Sequence, residues 1–181
     1  MDTFAYCAAS FERSVRRAAG TQPLTCPPAS METFDAGELA GRDFIYFKLH
    51  GLPGEPYWYG DDWQTALCRE QLQVADLSGA VVFVANCNLP QSPMLTALLD
   101  AGPVAVIGGP GQNYARSRRV DGADLLGLYV RRVLSFGFGA RDALAVAMLR
   151  LKLKRRDKAT RDTLAFRIYG GGTHGIQSTR T

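Results

Sequence analysis

Histidine is scarce in this chain: there are two, His50 and His174, in 181 residues. The four cysteines (Cys7, Cys26, Cys68 and Cys87) show no Cys-x-x-Cys spacing. Zinc sites and disulfide frameworks are therefore not expected. No apolar run reaches ten residues, about half of what a helix needs to cross a bilayer. The start Met1-Asp2-Thr3 lacks the basic segment of a secretion signal. The phosphate-loop spacing is also missing. Gly108-Gly109-Pro110-Gly111 follows an apolar run but no Lys comes after it at the required distance, so it reads as a sharp turn off a sheet edge rather than a nucleotide cradle. These absences leave an expectation of a cytoplasmic protein with reduced thiols, no metal, no organic cofactor and no membrane partner.

The composition is that of an ordinary globular domain, with 46% hydrophobic and 21% charged residues. The length suits one domain with a sizeable core. The formal net charge of +4 is unevenly spread: residues 150–181 hold nine Lys/Arg against two Asp/Glu, leaving residues 1–149 net acidic. The expected division is a body over residues 1–165, then an edge strand and Gly-rich tail over residues 166–181. Leu149–Lys158 mixes Leu with Lys and Arg at helical spacing, the pattern of a solvated basic helix face. Nucleic acid is not an expected partner on that ground, although binding of nucleic acid or an acidic partner through this segment is one alternative function.

Strand-like and helix-like segments alternate. Thr3–Ala9 reads as a first strand, and a helix from Phe11 is capped by Ser10 and stopped by Gly20. Thr21–Cys26 is a second short strand closed by Pro27-Pro28. Ser30–Ala40 reads as a helix, Asp43–Leu49 as a strand buried on both faces, residues 50–62 as a loop rich in Gly, Pro and aromatics, and Trp63–Val74 as a helix. Strand Ala80–Ala85, helix Met94–Asp100 and strand Pro103–Ile107 follow, then helices Gly122–Phe136 and Ala140–Lys154 and an edge strand Phe166–Tyr169. This alternation implies an α/β fold, a three-layer α/β/α sandwich around a mainly parallel sheet.

Two of the strands end on reactive groups: Phe44-Ile45-Tyr46-Phe47-Lys48-Leu49-His50-Gly51, and Gly79-Ala80-Val81-Val82-Phe83-Val84-Ala85-Asn86-Cys87. As neighbours in a parallel sheet they present an imidazole and a thiol at the same carboxyl edge, where open α/β sheets place their sites. A thiol needs a nearby base to act as a nucleophile near neutral pH. Cys87 is thus the candidate nucleophile and His50 the candidate acid/base. The backbone N–H groups of Gly51 and Cys87 are candidate oxyanion donors. Cys7, Cys26 and Cys68 read as core residues, because free cysteine is among the most buried residue types. His174 is assigned no role.

These strings resemble the signatures of clan CD cysteine peptidases: caspases, legumains, gingipains, clostripains, separases and the bacterial CHAT domains, with the CHAT type the nearest. The shared pattern is a hydrophobic strand ending in His-Gly and a later one ending in Ala-Cys. Here the second reads Ala85-Asn86-Cys87, with an Asn inserted before the Cys. Leu98-Leu99-Asp100-Ala101-Gly102-Pro103-Val104-Ala105-Val106-Ile107-Gly108-Gly109 and Leu128–Leu149 also resemble the segments that follow in that group. The resemblance implies the caspase–hemoglobinase fold, a Cys–His dyad with no required third residue, and endopeptidase activity on a peptide or protein substrate directed by the P1 side chain. It also implies a partner protein or additional domains, since CHAT-like domains are commonly attached to others. A catalytically silent interaction or sensor module is the second reading.

For the substrate pocket, the loop after His50 supplies Trp58, Asp61 and Asp62, and the loop after Ile107 supplies Gln112, Asn113, Tyr114 and Arg116. The closeness of Asp61 and Asp62 to His50 favours a basic P1. The competing reading of the two carboxylates is a helix cap near Trp63. Arg116-Ser117-Arg118-Arg119 reads as an exposed basic loop open to cleavage.

Overall fold

The computed structural model describes residues 1–113, 120–154 and 162–170. Along the chain these form β1 (Thr3–Ala8), α1 (Glu12–Ala19), β2 (Leu24–Cys26), β3 (Phe44–Lys48), β4 (His50–Gly51), β5 (Tyr57–Tyr59) and β6 (Thr65–Cys68). There follow α2 (Arg69–Gln73), β7 (Val81–Val84), α3 (Pro93–Asp100), β8 (Ala105–Gly108), α4 (Gly122–Leu134), α5 (Ala140–Lys154) and β9 (Arg167–Tyr169). The central sheet has the order β2-β1-β3-β7-β8-β9. All of its pairs are parallel except the last, where β9 runs against β8.

Every residue of β3 and β7 is buried, as their unbroken apolar runs require of strands covered on both faces. The pleat sorts them. Ile45, Phe47, Val82 and Val84 point into one core with Trp58, Leu67, Leu72 of α2, and Met94, Ala97 and Leu98 of α3. Phe44, Tyr46 and Phe83 point into the other with Val15 and Ala18 of α1, Leu126 and Val130 of α4, and Ala143, Ala147 and Leu151 of α5. The result is the expected three-layer α/β/α sandwich with a mainly parallel sheet.

Lys48 departs from this apolar pattern, with 2% of its surface exposed. Its ammonium donates to the Ser14 hydroxyl (3.2 Å) and pairs with the Asp124 carboxylate, itself fully buried at the start of α4. The Tyr46 hydroxyl donates to the other carboxylate oxygen at 2.7 Å. Burial, with Asp124 beside it, holds that phenol well above its ordinary pKa, so it stays a donor.

Four local expectations are corrected. Ser30–Ala40 is a series of turns with a single 3-10 turn at Ala36–Leu39 rather than a helix. Local side-chain bonds compete there: Thr33 Oγ1 accepts from the Ser30 N–H and the Asp35 carboxylate accepts from the Gly37 N–H. The segment is further held by Gln71, whose amide donates to the carbonyls of Met31 and Phe34, and by Phe34 stacked on Tyr6. Residues 50–62 hold β4 and β5, and residues 63–74 hold β6 before the five-residue α2. Both depart from the expected loop and helix. β4, β5 and β6 form a small antiparallel sheet in which Trp58 faces Leu67, and burial of those apolar groups outweighs helix propensity. Ser10 does not cap α1: Phe11 holds that position and the Ser10 side chain turns elsewhere.

Candidate active site

The β3–β7 register pairs Phe47 with Val84. His50 and Cys87 each lie three residues beyond that pair, so both leave the sheet at the same height and on adjacent strands. The ladder continues past the strand ends through the Ala85 N–H to the Phe47 carbonyl, 2.8 Å. One step further the Asn86 side chain takes over: its Oδ1 accepts from the Leu49 N–H at 2.8 Å. Asn86 is almost wholly buried, and its Nδ2 has no hydrogen-bond partner among the described residues. The residue that breaks the Ala-Cys pattern thus substitutes for a backbone carbonyl and ties the two motif strands together.

Cys87 and His50 line one cavity of about 260 Å³, with Gly51, Leu52, Trp63, Asn88, Gln112 and Asn113. The Cys87 sulfur accepts a hydrogen bond from the Asn113 N–H at 3.2 Å. The Asn113 side-chain amide donates to the carbonyls of Asn86 (2.6 Å) and Ala85 (3.3 Å), which clamps the end of the Cys strand. Asn88, next in the chain, has a left-handed backbone with φ of 57°, tolerated by Asn at single positions. That reversal sends the chain away and leaves the thiol at the strand end.

Gly51 is required by contact. A Cβ at that position would lie 2.6 Å from the Cys87 carbonyl oxygen, so the His-Gly and Cys turns meet backbone to backbone. Further bonds stitch the loops beyond them. Gly54 N–H donates to the Gln91 carbonyl, the Ser92 hydroxyl donates to the Glu55 carbonyl, and Asn88 N–H donates to the Gly111 carbonyl. The turns that carry His50, Gly51 and Cys87 therefore sit on a braced wall.

His50 is held between two aromatic rings, Phe11 at 5.5 Å and Trp63 at 5.7 Å between ring centres. Phe11 also carries the Lys48 ammonium over its ring, 4.6 Å from the centre. Packing against these rings fixes the position of the imidazole. The sequence reading missed both. Phe11 lies 39 positions before His50 in the chain, and no local signal joins them. Trp63, an aromatic directly after the Asp61-Asp62 pair, was within reach of the reading that chose Trp58.

The structure separates the expected pocket residues. Gln112 and Asn113 line the cavity. Trp58 does not: it is fully buried against Phe47, 5.2 Å between ring centres, and belongs to the core. The Asp61 carboxylate accepts from both the N–H and the hydroxyl of Ser10, each at 2.7 Å. Neither Asp61 nor Asp62 lines the cavity. Tyr114, Arg116 and the rest of the basic loop, like His174 and the end of the tail, lie outside the described residues.

The remaining thiols are core groups. Burial pushes Cys7 up to about 12, with Lys48 nearby opposing the rise. Burial also raises Cys26 and Cys68 above the usual thiol range. Cys87 differs in being half-buried and open to the cavity. Among the described residues no group of three or more His, Cys, Asp or Glu is placed to hold a metal. No helix there is long and apolar enough to cross a membrane.

No protein-family model matches the sequence, and no curated protein matches it. Among solved structures the chain is similar to the Arg-specific cysteine proteinase gingipain R, at 16% identity and a TM-score of 0.53. The match covers 92% of this chain and 46% of that one, so the chain spans about half the length of its structural neighbour. At that identity the likeness concerns the backbone alone, and it shows that this chain shares the caspase–hemoglobinase-like fold of gingipain R.

Proposed function

We propose that the chain is a cysteine endopeptidase with Cys87 as nucleophile and His50 as general acid/base. The observation that carries this reading is the placement of both side chains, three residues past a paired position of adjacent parallel strands, in the wall of one cavity. His50 takes the thiol proton as the Cys87 sulfur bonds to the scissile carbonyl carbon. The N–H groups of Gly51 and Cys87 stabilise the oxyanion, a contribution of about 2.7–4 kcal/mol for one donor where such donors have been removed. Collapse of the tetrahedral species breaks the C–N bond, and the imidazolium gives its proton to the departing amine. His50 then takes a proton from the water that attacks the thioester, and returns it to the sulfur as the acid leaves.

P1 specificity is directed by the wall beside Cys87, which Asn88, Gln112 and Asn113 line. The support that Asp61 and Asp62 lend to a basic P1 is withdrawn, because Asp61 is tied to Ser10 and neither faces the cavity. The Arg specificity of gingipain R is a property of that protein.

The test is a panel of fluorogenic peptides varied at P1, with an acyloxymethylketone probe in parallel. Wild type is expected to cleave some members and to be labelled at Cys87, and Cys87→Ala to do neither. Absence of both cleavage and labelling in wild type would overturn the reading and favour an interaction module on a peptidase fold.

A further inference from the structure

Trp63 is strained, exposed and set over the imidazole. Its φ is 59° and that of Asp62 is 54°, two consecutive left-handed residues of which Asp is a type that visits this region and the bulky Trp an outlier. Left-handed non-glycine residues persist only when their surroundings impose them, and they gather at functional sites. The surroundings here are specific. Asp61 is anchored by two bonds from Ser10, and Gly60 and Gln64 close the turn with an N–H to carbonyl bond of 2.8 Å. The Trp63 ring meets Tyr59 edge-on at 5.8 Å between centres. Despite this fixing, 62% of Trp63 remains exposed to solvent. An exposed ring held in place by such a turn marks a binding surface where it forms an apolar patch with a neighbour. Leu52, also exposed, joins it on the cavity wall directly after the His-Gly pair.

Resting on the peptidase reading above, we propose that Trp63, with Leu52, is the determinant of P1′ specificity and that it selects large apolar or aromatic P1′ residues. The side of the site follows from the chemistry. His50 protonates the departing nitrogen, and that nitrogen belongs to the P1′ residue. A ring packed on the imidazole therefore adjoins the leaving-group side of the scissile bond, opposite the wall that reads P1. Neither Trp63 nor Leu52 carries charge, and a rigid indole face binds flat or branched apolar side chains at little entropic cost.

The experiment measures kcat/KM for internally quenched peptides that share one cleavable P1 and carry Phe, Leu, Gly, Lys or Asp at P1′. Wild type, Trp63→Ala and Trp63→Phe are compared, with a melting curve for each. The expected wild-type preference for Phe or Leu over Gly and Asp is about tenfold or more. Trp63→Ala should reduce it to within about twofold, and Trp63→Phe should retain most of it, whatever happens to the absolute rates. Reading a ratio between substrates separates specificity from any general effect on His50. Cleavage by wild type with no P1′ preference, or a preference untouched in Trp63→Ala, would overturn the inference and leave the peptidase reading standing. No cleavage of any peptide by wild type would overturn both.

Discussion

Four thiols in this chain share one chemistry and meet two environments. Cys7, Cys26 and Cys68 are buried and raised above the usual thiol range by loss of solvent, Cys7 to about 12. A raised thiol pKa leaves less thiolate at any working pH, and thiolate is the reactive form. At pH 8 the native protein should therefore take up close to one equivalent of iodoacetamide, at Cys87, and four after denaturation, as counted by mass spectrometry. Rapid native labelling at any of the other three would contradict the burial that defines them. The same division between two residues of one type holds for tryptophan. Trp58 lies on the core side of β5 and is fully covered, whereas Trp63, five positions on, stands over His50. Composition and spacing place Trp58 in an aromatic loop after His50 and Trp63 at the start of a helix. Only the register of β5 on β6, with Trp58 facing Leu67, decides which of them turns inward.

At the scale of elements, the site is a meeting of strand ends. The apolar runs of β3 and β7 are long enough, and rich enough in aromatic or β-branched residues, to be read as buried strands, and the reactive residue after each was legible for that reason. The contact between the two turns was not. Gly51 sits so close to the Cys87 carbonyl that a methyl group would be 2.6 Å away. Gly51→Ala should displace both proposed oxyanion donors by a fraction of an ångström, with a loss of about a hundredfold in kcat. Crowding of this kind should also lower stability by about 1–3 kcal/mol. Steady-state kinetics beside a denaturant titration checks both effects, and wild-type kcat in this variant would remove Gly51 from the oxyanion site. The helix expected over Trp63–Val74 illustrates the opposite case. Its Ala66, Leu67 and Cys68 suit either periodicity, and pairing with β5 settles them as a strand. The turns at Ser30–Ala40 were likewise decided from outside, by the amide of Gln71 and the ring of Tyr6.

At the scale of the whole molecule, two cores grip one sheet, and the helix-covered face behind the dyad contains a buried ion pair. Removing one partner of such a pair strands the other charge without solvent. Lys48→Ala should therefore lower the unfolding free energy by about 3–5 kcal/mol in urea. Arg42→Ala, which breaks the exposed bridge to Asp2, should cost no more than about 1 kcal/mol. Equal effects would show that the Lys48–Asp124 pair is solvated. By itself the sequence determined the parallel α/β plan, the order of its principal strands and helices, and the two residues at the carboxyl edge. Those follow from local patterns: apolar runs, glycine stops and the reactive groups that end two strands. Tertiary structure alone decided the rest. It paired Lys48 with Asp124 across 76 positions, set Phe11 and Trp63 on His50, drew Asp61 to Ser10 and made the odd Asn86 a bridge between motif strands. Each of these joins residues far apart in the chain, and such contacts depend on how the layers pack, which no short stretch of sequence encodes.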